Sequence, residues 1–410
     1  MRSLHPTATI SSCSRTISAS PSAVGRVSAA VVDACARPPN KDSTLPAAEV
    51  IAIDLRIPLK NISAAQFNVA TSSMSSICIV GAGVTGLLLL LLFQEAGVDM
   101  SKITIIDPHF DGGDLARKWT AVQSNTPLSK TINAIQAILP NVKLPPHGDT
   151  SKTTPLVELP QLIRILCAKG LSECTQIHGT CLESNYDSSS SKWTVRVATG
   201  SGIKEILSDR LVFTQGSEPR TLDIPIPSIP LEIAIDEKRL QHYVRPGQRV
   251  MVFGTMHSGT LIIRNASNLG ATVTAMYNSD APFYWDRDGV YDGIKREAAE
   301  IADDIVAGKI PVSLVPVQDT AKVIRASRDA DWVVYAMGFS MRESIKVSVD
   351  GVAKSIKGYD GSTGKLREVP AWGFGIAYPN RAPDGVHWDV SVAAFLEHMK
   401  PQIPSILSGI

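Results

Sequence analysis

The apolar stretch from Ile77 to Phe93 changes character part-way along. Residues 76–80 are rich in β-branched side chains, the pattern of a buried strand, whereas Leu87 to Leu92 are six consecutive leucines suited to a helix buried on every side. Between them lies Gly81-Ala82-Gly83-Val84-Thr85-Gly86. The predicted succession is a strand, a glycine turn, a helix over 87–96 ended by Gly97, and a second strand over 103–106 that stops at Asp107. It returns later as strand 249–253, the turn Gly254-Thr255-Met256-His257-Ser258-Gly259, helix 260–269 and strand 271–277. Segments 210–219 and 331–339 each read as a strand running into a glycine turn, and 295–304 has the spacing of a helix with one solvated face. Strands alternating with helices predict an α/β fold with buried parallel strands.

Composition narrows the function classes. The 410 residues carry 40 Lys and Arg against 39 Asp and Glu, so there is no basic footprint for nucleic acid or an anionic membrane. A 44% hydrophobic content with 19% charged residues excludes wholesale disorder. The six cysteines form no Cys-x-x-Cys pair and are too few for a disulfide scaffold. Cys167, Cys174 and Cys181 recur at seven-residue spacing but straddle Gly170 and Gly179, so they read as structural thiols, and no metal site is expected.

Residues 1–32 hold Arg2, Arg15 and Arg26, many serines and no acid before Asp33, the composition of a transit peptide or of a disordered extension. Residues 1–75 are therefore set apart from the fold. The compartment expected is cytoplasmic, or mitochondrial or plastid if 1–32 is a transit peptide. The 77–93 run is glycine-broken and too short to span a bilayer, so no membrane span is expected.

The first glycine turn carries the chemistry of a dinucleotide site. Gly81 permits the tight turn, Gly83 lets backbone approach a pyrophosphate, and Gly86 lets helix and strand pack closely. With Val84 in the loop, the N-terminus of the following helix directs unpaired N–H groups at phosphates, and Asp107, 26 positions after Gly81 and near the expected interval of roughly 20, can accept from a ribose diol. Gly254, Ser258 and Gly259 repeat this framework, but Met256 stands where the pyrophosphate glycine belongs. The strand after it ends Tyr277-Asn278-Ser279 without a carboxylate, which favours NADPH over NADH, with Arg287 as a candidate phosphate partner. The other reading of this copy is a unit kept for architecture after losing its ligand.

Gln215-Gly216-Ser217 and Ala336-Met337-Gly338 stand where a chain would leave and re-enter a first domain around a nested second one. With both glycine loops in this order, residues 76–400 resemble the two-dinucleotide-binding-domain flavoproteins. The resemblance implies a Rossmann-like, three-layer ββα FAD-binding domain (76–222 and 331–410) with a smaller NAD(P)-binding Rossmann-like domain inserted at 223–330. It implies that 372–377 is the closing strand and that a helix over 389–399, starting near Asp389 and Val390, aims its N-terminus at the flavin. Gly216 and Gly338 become cofactor-contacting turns. No paired cysteine is present for disulfide-reductase chemistry. Gly112-Gly113, Trp119 and Ser124-Asn125-Thr126-Pro127 are similar to a stretch of flavin-dependent monooxygenases, which places Trp119 at the cofactor and Asn125 near the flavin. Asn125 is equally suited to a turn before Pro127. His257 is a candidate either for phosphate contact or for proton transfer.

The expected function is thus an FAD-dependent oxidoreductase. It would take hydride from NADPH (or NADH) and pass electrons to oxygen, as a monooxygenase does, or to an organic acceptor. The alternative is a non-catalytic FAD- or nucleotide-binding sensor or scaffold. A small-molecule substrate is expected; no motif names it, nor the oligomeric state.

Overall fold

The computed structural model describes residues 70–120, 122–124, 126–145, 151–283, 291, 294, 296–381 and 388–409, with side chains from Ser75 onward. The transit-peptide reading, Asn125, Arg287 and Lys295 lie outside the described residues.

Strand β1 (Ala70–Val80) enters the first glycine turn, and helix α1 (Val84–Glu95) leaves it toward β2 (Ile103–Asp107). β1 begins at Ala70 rather than at residue 76, because the long neighbouring strand extends far enough to pair with its early part, Ala70 facing Lys204. Helix α1 ends as expected. Gly97 at φ +74° donates to Gln94 O at 3.1 Å and Val98 donates to Phe93 O at 3.0 Å, a Schellman closure. Leu87 through Leu92 are at most 3% exposed. The sheet covers one side of α1, and helices α2 (Leu128–Ile138), α3 (Glu158–Leu166) and Ala168–Glu173, together with a C-terminal helix, enclose the rest in one core. Twelve residues span about 18 Å, well short of a bilayer core of about 30 Å. Among the described residues, no helix is long and apolar enough to cross a membrane.

Among the described residues, the larger sheet has eight strands in the order β13-β12-β3-β2-β1-β5-β14, with β4 bridging β3 and β5. Here β3 is Thr175–Asp187, β4 Lys192–Thr199 and β5 Gly202–Phe213. The outer strands are β12 (Lys346–Val349), β13 (Val352–Lys354) and β14 (Trp372–Gly373). The central strands β3-β2-β1-β5-β14 run parallel. The far parts of β3 and β5 instead pair antiparallel with β4, which lays a second β layer behind the parallel one. Trp193, Val195 and Val197 of β4 fill the core between these layers.

Among the described residues, the smaller sheet is wholly parallel, in the order β10-β7-β8-β9. It comprises β7 (Arg249–Phe253), β8 (Thr272–Tyr277), β9 (Ser313–Pro316) and β10 (Trp332–Tyr335). Helices α4 (His257–Asn268) and α5 (Glu297–Val306) pack on one face and α6 (Thr320–Asp329) on the other. One sequence boundary shifts here. The strand expected to open the returning segment at 331 pairs with β7, Trp332 facing Val250, and so belongs to the smaller sheet.

The two sheets are linked by β6 (Ser217–Pro219) and β11 (Phe339–Met341), which pair antiparallel where the chain leaves and re-enters the larger one. Near the C-terminus, helix α7 (Val392–Met399) returns to the core around α1. Its His398 is 5% exposed, sits edge-to-face on Phe374 with ring centroids 5.3 Å apart, and has no hydrogen-bond partner at either ring nitrogen. Burial lowers its pKa, with the Asp360 carboxylate opposing. The folded chain therefore holds a neutral ring that the unfolded chain protonates below about pH 6.5. Stability is expected to fall as the pH drops through about 6.5 toward the folded pKa. In thermal melts between about pH 7 and 5, His398→Leu should lose less than the parent chain. Parallel pH profiles for the two proteins would contradict this.

Candidate functional site

The first glycine turn is held by contacts that only glycine permits. Gly81 (φ +109°) donates to Ile106 O at 2.8 Å, and a Cβ on it would lie 2.5 Å from Thr214 O. A Cβ on Gly86 would lie 1.9 Å from Gly81 O. Real side-chain carbons do not approach backbone oxygen that closely. Thr214 stabilises the turn from the side, its hydroxyl donating to Gly81 O at 2.8 Å and Val80 O at 3.1 Å. Gly83 differs in kind. It is extended at φ −71°, ψ −174° and forms the N-cap of α1 without a side-chain cap, and an added Cβ would meet nothing nearer than 3.9 Å. A side chain there would touch Gly112 O and Gly113 Cα at ordinary contact distance, and the first turn of α1, with Val84 buried, presents N–H groups and a positive dipole end beside this backbone.

Asp107 braces this loop. One oxygen accepts from Ala82 N at 2.9 Å and the other from His109 N and Phe110 N at 2.8 and 3.0 Å. A carboxylate offers about four acceptor positions, so one remains for a hydroxyl. Gly112 and Gly113, both at positive φ, lie against Gly83, Gly112 forming a bridge with it. The chain after β14 also reaches this place. Gly375 (φ +86°) packs on Thr85 so closely that a Cβ would lie 2.3 Å from its hydroxyl. Ser391 caps α7 by accepting from Ala394 N at 3.1 Å, and Asp389 accepts from Ser391 N at 3.1 Å. Asp389 and Val390 thus sit just before the helix, and Val390 is exposed.

The second loop repeats the backbone design of the first. Gly254 (φ +101°) donates to Met276 O at 2.8 Å, and Gly254 and Gly259 would place a Cβ 2.2 Å from Ala336 O and 2.1 Å from Gly254 O. Ala336 therefore stands where Thr214 does. His257 opens α4 and Ser258 follows in its first turn. Burial lowers the His257 pKa, Glu297 opposing, so the imidazole is neutral near pH 7. Its Nδ1 is buried without a partner. A cleft of about 250 Å³ lies beside it, lined by Gln123, Ser124 and Thr153 from one side and Arg296, Glu297 and Glu300 from the other.

The stretch 111–124 ties the two units together. Asp114 pairs with Arg342 just beyond β11, and Trp119 packs edge-to-face on Phe339 with centroids 5.7 Å apart. Trp119 and Val122 pack against the core of the smaller sheet. Gly216 and Gly338 (φ +74° and +77°) flank opposite ends of the β6–β11 ladder, Gly216 beside Arg342 and Gly338 beside Arg220, whose N donates to Gly338 O at 3.0 Å. The structure thus gathers Gly81, Gly83, Val84, Gly86 and Asp107 at one loop and Gly254, Ser258, Gly259 and His257 at the other. Thr214, Gly375 and the Gly112–Gly113 contact escaped the sequence reading. Thr214 was discoverable as the residue opening the Gln215–Gly216 turn, but the other two depend on long-range packing. The acids of α5, read only as a solvated face, line the cleft through Glu297 and Glu300.

Cys167 and Cys174 cap the two ends of the Ala168–Glu173 helix and Cys181 lies in β3; all are buried, and desolvation pushes Cys167 up to about 12. Among the described residues no cluster suited to a metal exists.

The fold is shared with solved proteins. A bacillithiol disulfide reductase from Bacillus cereus superposes with a TM-score of 0.56 at 14% identity, covering 82% of this chain and 99% of that one. OTEMO, solved in complex with FAD and NADP, superposes with a TM-score of 0.52 at 16% identity over 80% of this chain and 84% of that one. The chain has the fold of the FAD- and NAD(P)-binding flavoprotein oxidoreductases. No protein-family model matches it. Among curated proteins, the monooxygenase AgnR1 of Paecilomyces divaricatus is 24% identical, over 81% of this chain and 97% of that protein.

Proposed function

We propose that this chain is an FAD-dependent oxidoreductase that binds FAD at the Gly81–Gly86 loop and NADPH at the Gly254–Gly259 loop. The larger sheet would be the FAD domain and the smaller one an inserted nicotinamide-binding domain, its last strand being β10. One observation carries the reading: two loops of one backbone design, each leading into an uncapped helix N-terminus and each excluding any side chain at its first and last glycine. The residues fit the groups they would hold. The side-chain-free N-cap at Gly83 suits a pyrophosphate, the spare capacity of Asp107 suits a ribose hydroxyl, and the α7 N-terminus suits developing negative charge. When bound, FAD supplies the ring that accepts a hydride from NADPH and passes electrons to oxygen or an organic acceptor.

The chain's own part is positioning. Asp107 and Thr214 fix the first loop, and the Asp114–Arg342 and Trp119–Phe339 contacts hold the two units in register. His257, neutral and facing the cleft, can donate one N–H and accept at its other nitrogen, for a phosphate or for a proton in transit. The match to AgnR1 favours monooxygenation of a small molecule over the other outlets. Purified chain, supplied with FAD and passed through a desalting column, is expected to retain flavin and to oxidise NADPH in air. A chain that retains none would refute the reading.

A further inference from the structure

Met256 occupies the place of Gly83 with its backbone almost unchanged. Its φ and ψ are −74° and −163°, against −71° and −174° at Gly83. Its carbonyl accepts from Thr260 N at 3.0 Å, as that of Gly83 accepts from Leu87 N at 3.0 Å. Both residues are N-caps, and neither helix has a side-chain cap. The loop has therefore kept its framework, and what distinguishes the two sites at this position is a side chain. At Gly83 a Cβ would meet Gly112 O and Gly113 Cα at 3.9 Å, an ordinary contact without overlap. With the same backbone, the Met256 Cβ leaves the loop in the direction that a Cβ on Gly83 would take, beside the first turn of α4. It is 38% exposed and appears in no core cluster, so packing does not explain it.

We propose that Met256 is a steric gate on the nicotinamide dinucleotide, an inference that rests on reading the Gly254–Gly259 loop as the NADPH site. The thioether, flexible about three bonds, stands where the pyrophosphate must pass to reach the N–H groups at the start of α4. It must swing aside for binding and tends to return when the nucleotide leaves. The gate weakens the hold on NADPH and NADP⁺ alike and shortens the residence of the spent cofactor. Glycine at this extended position needs no backbone change and is a better N-cap than methionine, so its removal leaves the fold intact.

The test is NADP⁺ binding to the FAD-loaded full-length protein by calorimetry, for the parent chain, Met256→Gly, Met256→Ala and Gly259→Ala, with the KM and kcat for NADPH beside it. Met256→Gly is expected to lower Kd and KM by about tenfold, the low end of what an obstructing side chain costs. Met256→Ala should recover part of this, FAD content and the melting midpoint staying unchanged. Should NADP⁺ bind the parent chain, fail to bind Gly259→Ala, and bind Met256→Gly no more tightly than the parent, the gate is refuted while the NADPH site stands. Should none of the four proteins bind NADP⁺, the site itself is wrong and the gate falls with it.

Discussion

Gly86→Ala is expected to strip the protein of FAD. The new Cβ would lie 1.9 Å from Gly81 O, which is backbone held by the Thr214 hydroxyl and cannot yield as a flexible side chain can. Either α1 moves off β1 or the turn opens. The first breaks the core around six buried leucines, and the second dismantles the pyrophosphate cradle. Overlaps of this kind belong to the rare class costing more than about 4 kcal/mol. Flavin content after purification should drop more than about tenfold, with a lower melting midpoint. A variant that keeps full flavin absorbance would show that the cofactor does not depend on this turn.

Gly259→Ala makes the matching overlap, 2.1 Å from Gly254 O, in the other unit. Its consequences should be separable. The smaller sheet has its own core, so the first loop and the bound FAD should survive while KM for NADPH rises at least about tenfold. Titration of the FAD-loaded variant with NADPH reads both quantities. Loss of FAD together with NADPH turnover would mean that the two loops do not serve two cofactors.

These variants were identifiable from the sequence because glycine spacing is a local signal: Gly81, Gly83 and Gly86 lie within one turn between a strand and a helix. The same locality made the hexaleucine helix and the Gly97 stop legible. The boundary at β10 was not, because Trp332–Tyr335 has the same apolar texture whichever parallel sheet it joins, and only its pairing with β7 decides. Nor was the start of β1 legible, since residues 70–75 lack strand periodicity and owe their pairing to the reach of β5. Thr85 against Gly375 is a contact between residues far apart in the chain, and nothing in either neighbourhood announces it. Met256 was read correctly as a departure from the glycine pattern. That it preserves the glycine's dihedral angles needed coordinates.

The most direct test of two cofactors acting on one chain is anaerobic mixing of the FAD-loaded protein with excess NADPH, followed at the flavin absorption band. The two-loop account predicts bleaching within seconds and recovery when air is admitted. A flavin that stays oxidised over hours beside NADPH would contradict it and leave a protein that binds nucleotides without passing electrons between them.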